Sequence, residues 1–255
     1  MSVGIYLGVV QFFFALCWTV YVAYLPQLAA QVGIPKSAVI WILMLDQLVF
    51  VLSDYAFGVA SDRAAKVVGR IGRGVVAVTL LSCAAFLALP LVAPGGSAPL
   101  FLALVVLWSI TSSALRAPPL TLVGRHAARP QVPWLVALSV FGLGLANAFA
   151  PYLTLHLRDV DPRVPFLLAS VALALVSFGI VAAERALTKE GAPAQGTEAP
   201  AARQPAIPGF LAAAVLAALA FQVHGFLNSG PLYLRFVTPD RLAWLAPVFW
   251  VGFNL

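Results

Sequence analysis

The sequence predicts an all-α polytopic membrane protein, and three observations carry that prediction. The first is composition. Of 255 residues, 62% are hydrophobic and 9% charged, with a mean hydropathy of +0.98, whereas soluble domains carry about a quarter charged residues. The second is run length, because most apolar runs reach the ~20 residues a helix needs to cross hydrocarbon. The third is the placement of basic residues in the gaps between runs, as in the cytoplasmic loops of membrane proteins. That placement accounts for the net charge of +6 through the lipid bilayer, with no nucleic-acid partner. Cys17 and Cys83 lie inside apolar runs, which argues against a disulfide framework or a thiolate metal site, and no cofactor is expected.

Eight apolar segments follow one another, with cores at 4–29, 38–60, 74–93, 99–123, 132–156, 164–183, 207–230 and 241–255. The first seven are long enough to span. The first starts without a basic n-region and runs too far for a cleaved signal peptide, so it reads as a spanning helix. In the fourth, Pro118-Pro119 interrupts the hydrogen-bond ladder and should kink the helix. The fifth contains GLGLANAFAP, 142–151, whose small residues suit close helix packing. The eighth stops at Leu255 short of a span, so the chain is expected to be a fragment or a truncated product. Segment 184–206 is rich in Ala, Pro, Gly and charge and has no apolar period, which marks a flexible linker. The expected organisation is therefore a six-helix bundle at 1–184, a linker at 185–206 and the incomplete start of a second bundle at 207–255.

Orientation follows from the loop charges. Arg63, Lys66, Arg70, Arg73, Arg125, Arg129, Arg185, Lys189 and Arg203 fall on one side, and Lys36, Arg158, Arg163, Arg235 and Arg241 on the other. The richer side, with the N-terminus, is expected to be cytoplasmic, which places the protein in the cytoplasmic membrane.

Between the second and third segments lies GVASDRAAKVVGRIGR, Gly58–Arg73, the most charged and most patterned stretch of the chain. Gly58 can admit a close neighbouring helix. Asp62 at the membrane boundary can accept from a helix N-terminus or pair with Arg70 or Arg73. The pattern Gly58-x-x-x-Asp62-Arg63, followed by Gly69-Arg70 and Gly72-Arg73, resembles the loop signature of the major facilitator superfamily. Its longer spacing is similar to that of glycoside–pentoside–hexuronide and sucrose-type symporters, from which it departs at Ile71-Gly72. The resemblance implies two six-helix bundles, and a charged latch closed on the cytoplasmic side by a partner of Asp62 in helix 11, beyond Leu255. The plainer alternative is that these arginines only set topology.

Charges inside the apolar segments are few, and each costs about 3 kcal/mol on insertion scales. They are Asp46 and Asp54 in the second segment and Arg116 in the fourth. Eight residues separate the two carboxylates, so they stand ~12 Å apart along a helix and ~80° apart around it. Asp54 and Arg116 fall at similar depth, and pairing lowers the cost of both. Asp54 then reads as a proton- or cation-coupling carboxylate, as one side of a static ion pair, or as a boundary residue. The resemblance implies the coupling role, because the symporters carry an Asp four residues before the motif glycine, as Asp54 precedes Gly58. Asp46 reads as a second coupling or substrate contact. Arg116, beside the prolines, suits a gating element or an anionic substrate contact.

Weaker cavity candidates are Gln11 and Trp18 in the first segment, near Tyr21 and Tyr24, then Asn147 in the fifth, and Gln222, His224 and Asn228 in the seventh. Interfacial anchoring or interhelical hydrogen bonding is the alternative for each. His126, His156 and His224 are scattered and form no metal or catalytic spacing, so an enzyme is not expected. The reading is a secondary active transporter that moves a small solute by alternating access, coupled to a proton or sodium as a symporter. Proton-driven efflux of a drug or metabolite is the alternative. A non-transporting scaffold or an inactive fragment is the alternative from another class.

Overall fold

The computed structural model describes residues 2–64, 70–157, 159–190 and 207–224, with a few isolated positions after 231. Among them there is no strand. The helices are α1 (Ser2–Gln31), α2 (Val39–Ala64), α3 (Arg70–Val92), α4 (Ala98–Ser112), α5 (Ala117–His126), α6 (Val132–Leu157), α7 (Arg163–Ser177), α8 (Gly179–Glu190) and α9 (Ile207–Val223). Six spans are long and apolar enough to cross a membrane: Val3–Gln31, Lys36–Ala64, Arg70–Val92, Ala98–His126, Arg129–Leu157 and Arg163–Lys189. The fourth span combines α4 and α5, and the sixth α7 and α8. The expected seventh span is represented by α9, whose 17 residues are shorter than the ~20 a crossing takes.

The chain divides into two compact units, Met1–Ala192 and Pro193–Leu255. The first holds all six spans. Its helix termini carrying the second-to-third-span motif are called the basic end here. Two boundaries differ from the sequence reading. The second span stays helical through Ala64 and α3 starts at Arg70, so the motif is mostly two helix ends and not a loop. The sixth span runs on to Glu190, into the expected linker, because α8 has an apolar face. Ile180, Ala183, Glu184 and Leu187 are buried at the 3–4-residue spacing of one helical side.

Glycine governs the closest approach. α1 crosses α6 where Gly8 meets Gly142, and a Cβ on Gly142 would collide with the Gly8 carbonyl. A Cβ on Gly8 would lie 2.7 Å from the Leu138 carbonyl oxygen. Small residues let two backbones touch in this way and gain dispersion and Cα–H···O contacts. Gly58 behaves differently from expectation. A Cβ there would meet nothing within 4 Å among the described residues, so the close approach at the basic end falls on Gly72, packed on Val181 and Glu184.

The core is aromatic at its centre. Trp108 of α4 stacks on Trp18 of α1 at 6.0 Å between centroids and meets Tyr21 at 4.6 Å. It also touches Phe86 of α3, which stacks on Phe166 of α7 at 4.3 Å. Offset ring pairs of this kind add about 0.5–1.5 kcal/mol each beyond burial.

Two glycine substitutions separate these environments. Gly142→Ala should destabilise the six-span unit by about 1–3 kcal/mol through overpacking. Gly58→Ala should be neutral or stabilising by up to ~1 kcal/mol, since it removes a helix-interior glycine. Thermal unfolding in detergent, followed by helical circular dichroism, reads both.

Candidate solute and ion site

The fourth span is broken where its sequence requires it. Pro118 and Pro119 have no N–H, so the carbonyls of Ala114 and Leu115 lose their helical donors four residues on. α4 accordingly ends at Ser112, a tight 3-10 turn covers Ser113–Leu115, and α5 restarts at Ala117 with Arg116 between them at φ −104°, ψ −64°. An orphan carbonyl is costly in hydrocarbon. The Gln11 side chain of α1 reaches across and donates Nε2 to Leu115 O at 2.7 Å. Gln11 is thereby a structural partner of the break as well as a lining residue.

Arg116 sits at this break and pairs with Asp54 of α2. Its Nε donates to Oδ1 at 3.1 Å, and Nη2 lies 2.8 Å from Oδ2. The second contact is electrostatic only, because Nη2 is buried with no hydrogen bond formed. The guanidinium also lies 4.0 Å from the centroid of the Phe50 ring and 5.9 Å from that of Phe14, within cation–π range. The pair is half-buried, with side chains 26% and 36% exposed.

Beside the pair is a cleft of about 270 Å³ lined by Gln11, Phe14, Ala15 and Trp18 of α1, Gln47 and Phe50 of α2, Arg116, and Leu143 and Asn147 of α6. Four of the sequence candidates, Gln11, Trp18, Arg116 and Asn147, thus share one cavity wall. Gln47 was not singled out, although it stands seven residues before Asp54 on the same helical face. Phe14 was also passed over, although 11, 14, 15 and 18 are the positions of one helix side.

Asp46 is elsewhere. It is fully buried and accepts hydrogen bonds from Tyr21 Oη and Ser109 Oγ, each at 2.7 Å. It makes no ion pair with any described residue and does not line the cleft, so it ties α1, α2 and α4 together.

At the basic end, Asp62 does not pair with Arg70 or Arg73. It accepts from Nε and Nη2 of Arg125 at 3.1 and 2.9 Å, so α2 is bridged to the last turn of α5. Both side chains are about half exposed. Asp62 therefore has a partner inside the six-span unit, though Arg125 and not the expected Arg70 or Arg73. Arg63, Arg70 and Arg73 are exposed at the helix ends, and Gly69 lies outside the described residues. Glu184, expected in the linker, is fully buried and accepts from Gly72 N at 2.8 Å. It satisfies an unpaired N–H in the first turn of α3, where a carboxylate also complements the dipole.

The candidates in the second unit stand apart. Gln222 lies in α9, and its side chain is outside the described part. His224 is exposed just after α9. Asn228 falls outside the described residues. Among described residues no cluster of three His, Cys, Asp or Glu side chains could hold a metal.

Six apolar spans, one of them broken beside an ion pair and a polar cleft, describe a multi-pass helical membrane protein. The family model of the Major Facilitator Superfamily matches residues 7–253. The chain belongs to that superfamily, whose members are membrane transporters of small solutes and not enzymes. Comparison with curated proteins and with solved structures gives no match.

The two polar ties should respond differently to mutation. Tyr21→Phe and Ser109→Ala each remove one bond to a buried carboxylate and should cost about 1.5–3 kcal/mol. Their double-mutant cycle should show a coupling of at least ~0.5 kcal/mol. Arg125→Ala breaks an exposed pair and should cost no more than ~1 kcal/mol. Chemical unfolding in mixed micelles orders the three variants.

Proposed function

We propose that this protein is an ion-coupled symporter for a small solute, working by alternating access in the cytoplasmic membrane. The observation that carries the reading is the Asp54–Arg116 pair at the break of the fourth span, beside a cleft with amide and aromatic walls. Half-broken helices with charges at the break are where transporters bind solute and coupling ion. Asp54 is the group that takes the coupling ion, a proton or sodium, when its hold on Arg116 is relaxed. Gln11, Trp18 and Asn147 contribute the solute wall, and Asp46 holds the wall's helices in register.

The proposal extends to topology and organisation. The basic end, with the N-terminus, faces the cytoplasm because the lysines and arginines concentrate there. Residues 1–184 act as one bundle, 185–206 as a connection, and 207–255 as the start of the second bundle, with Gln222, His224 and Asn228 as its solute-facing candidates. Gly58, Asp62, Arg63, Gly69, Arg70 and Arg73 form the gating latch. In the six-span unit that latch already includes the Asp62–Arg125 bridge.

Vesicles containing the protein, offered a labelled pool of sugars, amino acids and carboxylic acids, test this reading. At least one member should accumulate under an inward proton or sodium gradient. Asp54→Asn should lower that accumulation about tenfold or more while leaving downhill counterflow intact. Accumulation of no member, or an Asp54→Asn variant with unchanged pH and sodium dependence, overturns the symport reading. Outward pumping under the same gradient establishes efflux in its place.

A further inference from the structure

The cleft beside Arg116 has a charge character that the transport reading leaves open. Arg116 is the single charged side chain among its lining residues, and the three polar residues with it, Gln11, Gln47 and Asn147, are all amides. The two carboxylates of this span region are turned to other uses. Asp46 is closed in by Tyr21 and Ser109, and Asp54 holds Arg116 without itself lining the cleft.

The state of the guanidinium matters more than its presence. Asp54 engages Nε by a hydrogen bond at 3.1 Å and stands 2.8 Å from Nη2, while about a quarter of the Arg116 side chain, 26%, stays exposed. Arg116 lines the cleft with the exposed part of its five-donor fork, so the site favours a guest that brings acceptor oxygens. Phe50 beneath the guanidinium at 4.0 Å holds the planar fork in one orientation, suited to a two-oxygen acceptor. α5 begins at the next residue, and the positive end of its dipole adds to the same potential.

From this geometry we infer that the solute is a small organic anion, with its carboxylate or equivalent oxyanion on Arg116. Its apolar or aromatic body lies along Trp18 and Phe14. The inference rests on the transport reading and names its substrate class. The volume of about 270 Å³ falls just below the usual range of ligand pockets, roughly 300–1,000 Å³, so the guest is of single-ring size. The amides of Gln47 and Asn147 donate to its oxygens, whereas Gln11 is already engaged by Leu115 O. Because the anion and Asp54 use the same guanidinium, they compete. The solute's arrival releases Asp54, and Asp54 opposes the solute.

Three probes of one shape and different charge decide the matter: benzoate, benzyl alcohol and benzylammonium. They are titrated into the purified full chain in neutral-lipid nanodiscs at pH 7.5, with tryptophan fluorescence as the readout. Benzoate should bind at least about tenfold more tightly than either other probe, as expected for a charge-assisted hydrogen bond. Asp54→Asn should tighten benzoate binding by about tenfold by removing the competitor, which no purely structural role for the pair would do. The double variant Asp54→Asn/Arg116→Gln leaves no unpaired charge to unfold the break, and it should lose the preference for benzoate while keeping its helical circular dichroism.

Preferential binding of benzylammonium or benzyl alcohol overturns the inference. Binding of none of the three, or weaker benzoate binding in Asp54→Asn, overturns it equally. The binding readout is independent of accumulation in vesicles. Benzoate binding without any accumulated solute therefore refutes transport and spares the anion site, and accumulation of a cationic solute does the reverse.

Discussion

Inside hydrocarbon a polar group must have a partner, because no water replaces it. That requirement organises this bundle. The Asp46 carboxylate draws Tyr21 of α1 and Ser109 of α4 onto α2. The Leu115 carbonyl, orphaned by Pro119, draws Gln11 of α1 to the broken span. The free N–H of Gly72 draws Glu184, and with it α8, onto the start of α3. Apolar packing alone fixes little register in a membrane, since lipid tails are as apolar as leucine. These three ties each link a backbone or carboxylate on one helix to a side chain from another, and so set which turn meets which.

The same requirement sorts the charges. A carboxylate with two hydroxyl donors is satisfied and can be sealed in the interior. A guanidinium has five donors in a planar fork, and Arg116 finds partners for only some of them. It consequently stays at the surface of a cleft, shared between an acid on one side and an aromatic ring on another. The three charged residues of these spans are therefore divided by how completely each is satisfied: Asp46 braces the interior, and Asp54 holds Arg116 at the edge of the cleft.

Much of this was legible in the sequence. Run lengths and loop charges gave the six spans, and the double proline located the break to within a few residues. The similar depth of Asp54 and Arg116 along their helices predicts a pairing, and the two side chains do meet. What the sequence hid has physical reasons. Gly8 and Gly142 are far apart in the chain, and only a backbone crossing explains why neither can carry a Cβ. Arg125 and Asp62 looked like separate loop charges because the helix ends were placed too early. With α2 extended to Ala64 and the fourth span to His126, the two fall side by side. Glu184 was read by the composition of its surroundings, Ala- and charge-rich, whereas its burial is decided by the i, i+3 and i+4 spacing of Ile180, Ala183 and Leu187. Composition over a window cannot see a face.

The two Asp–Arg bridges connect the edge of the cleft to the basic end. Asp54 and Asp62 stand eight residues apart on α2, and Arg116 and Arg125 nine apart across α5, so the bridges are parallel rungs ~12 Å apart. Between them they clamp α5, a ten-residue helix, to α2. Above the inner rung the chain is already broken at Ser113–Leu115, so α5 is joined to α4 by a turn and not by a continuous ladder. The outer rung is half exposed, and exposed pairs contribute ~0–1 kcal/mol. In the proposed reading, an anion that takes Arg116 from Asp54 opens the inner rung, leaving the outer rung and the packing of buried Pro118, Pro119, Leu122 and Val123 to hold α5. In that reading, an exchange of partners at one guanidinium loosens the helix whose far end carries Arg125, beside the Gly58–Arg73 motif. The arginine of the cleft and the bridge to the Gly58–Arg73 motif thus stand at the two ends of a single short helix.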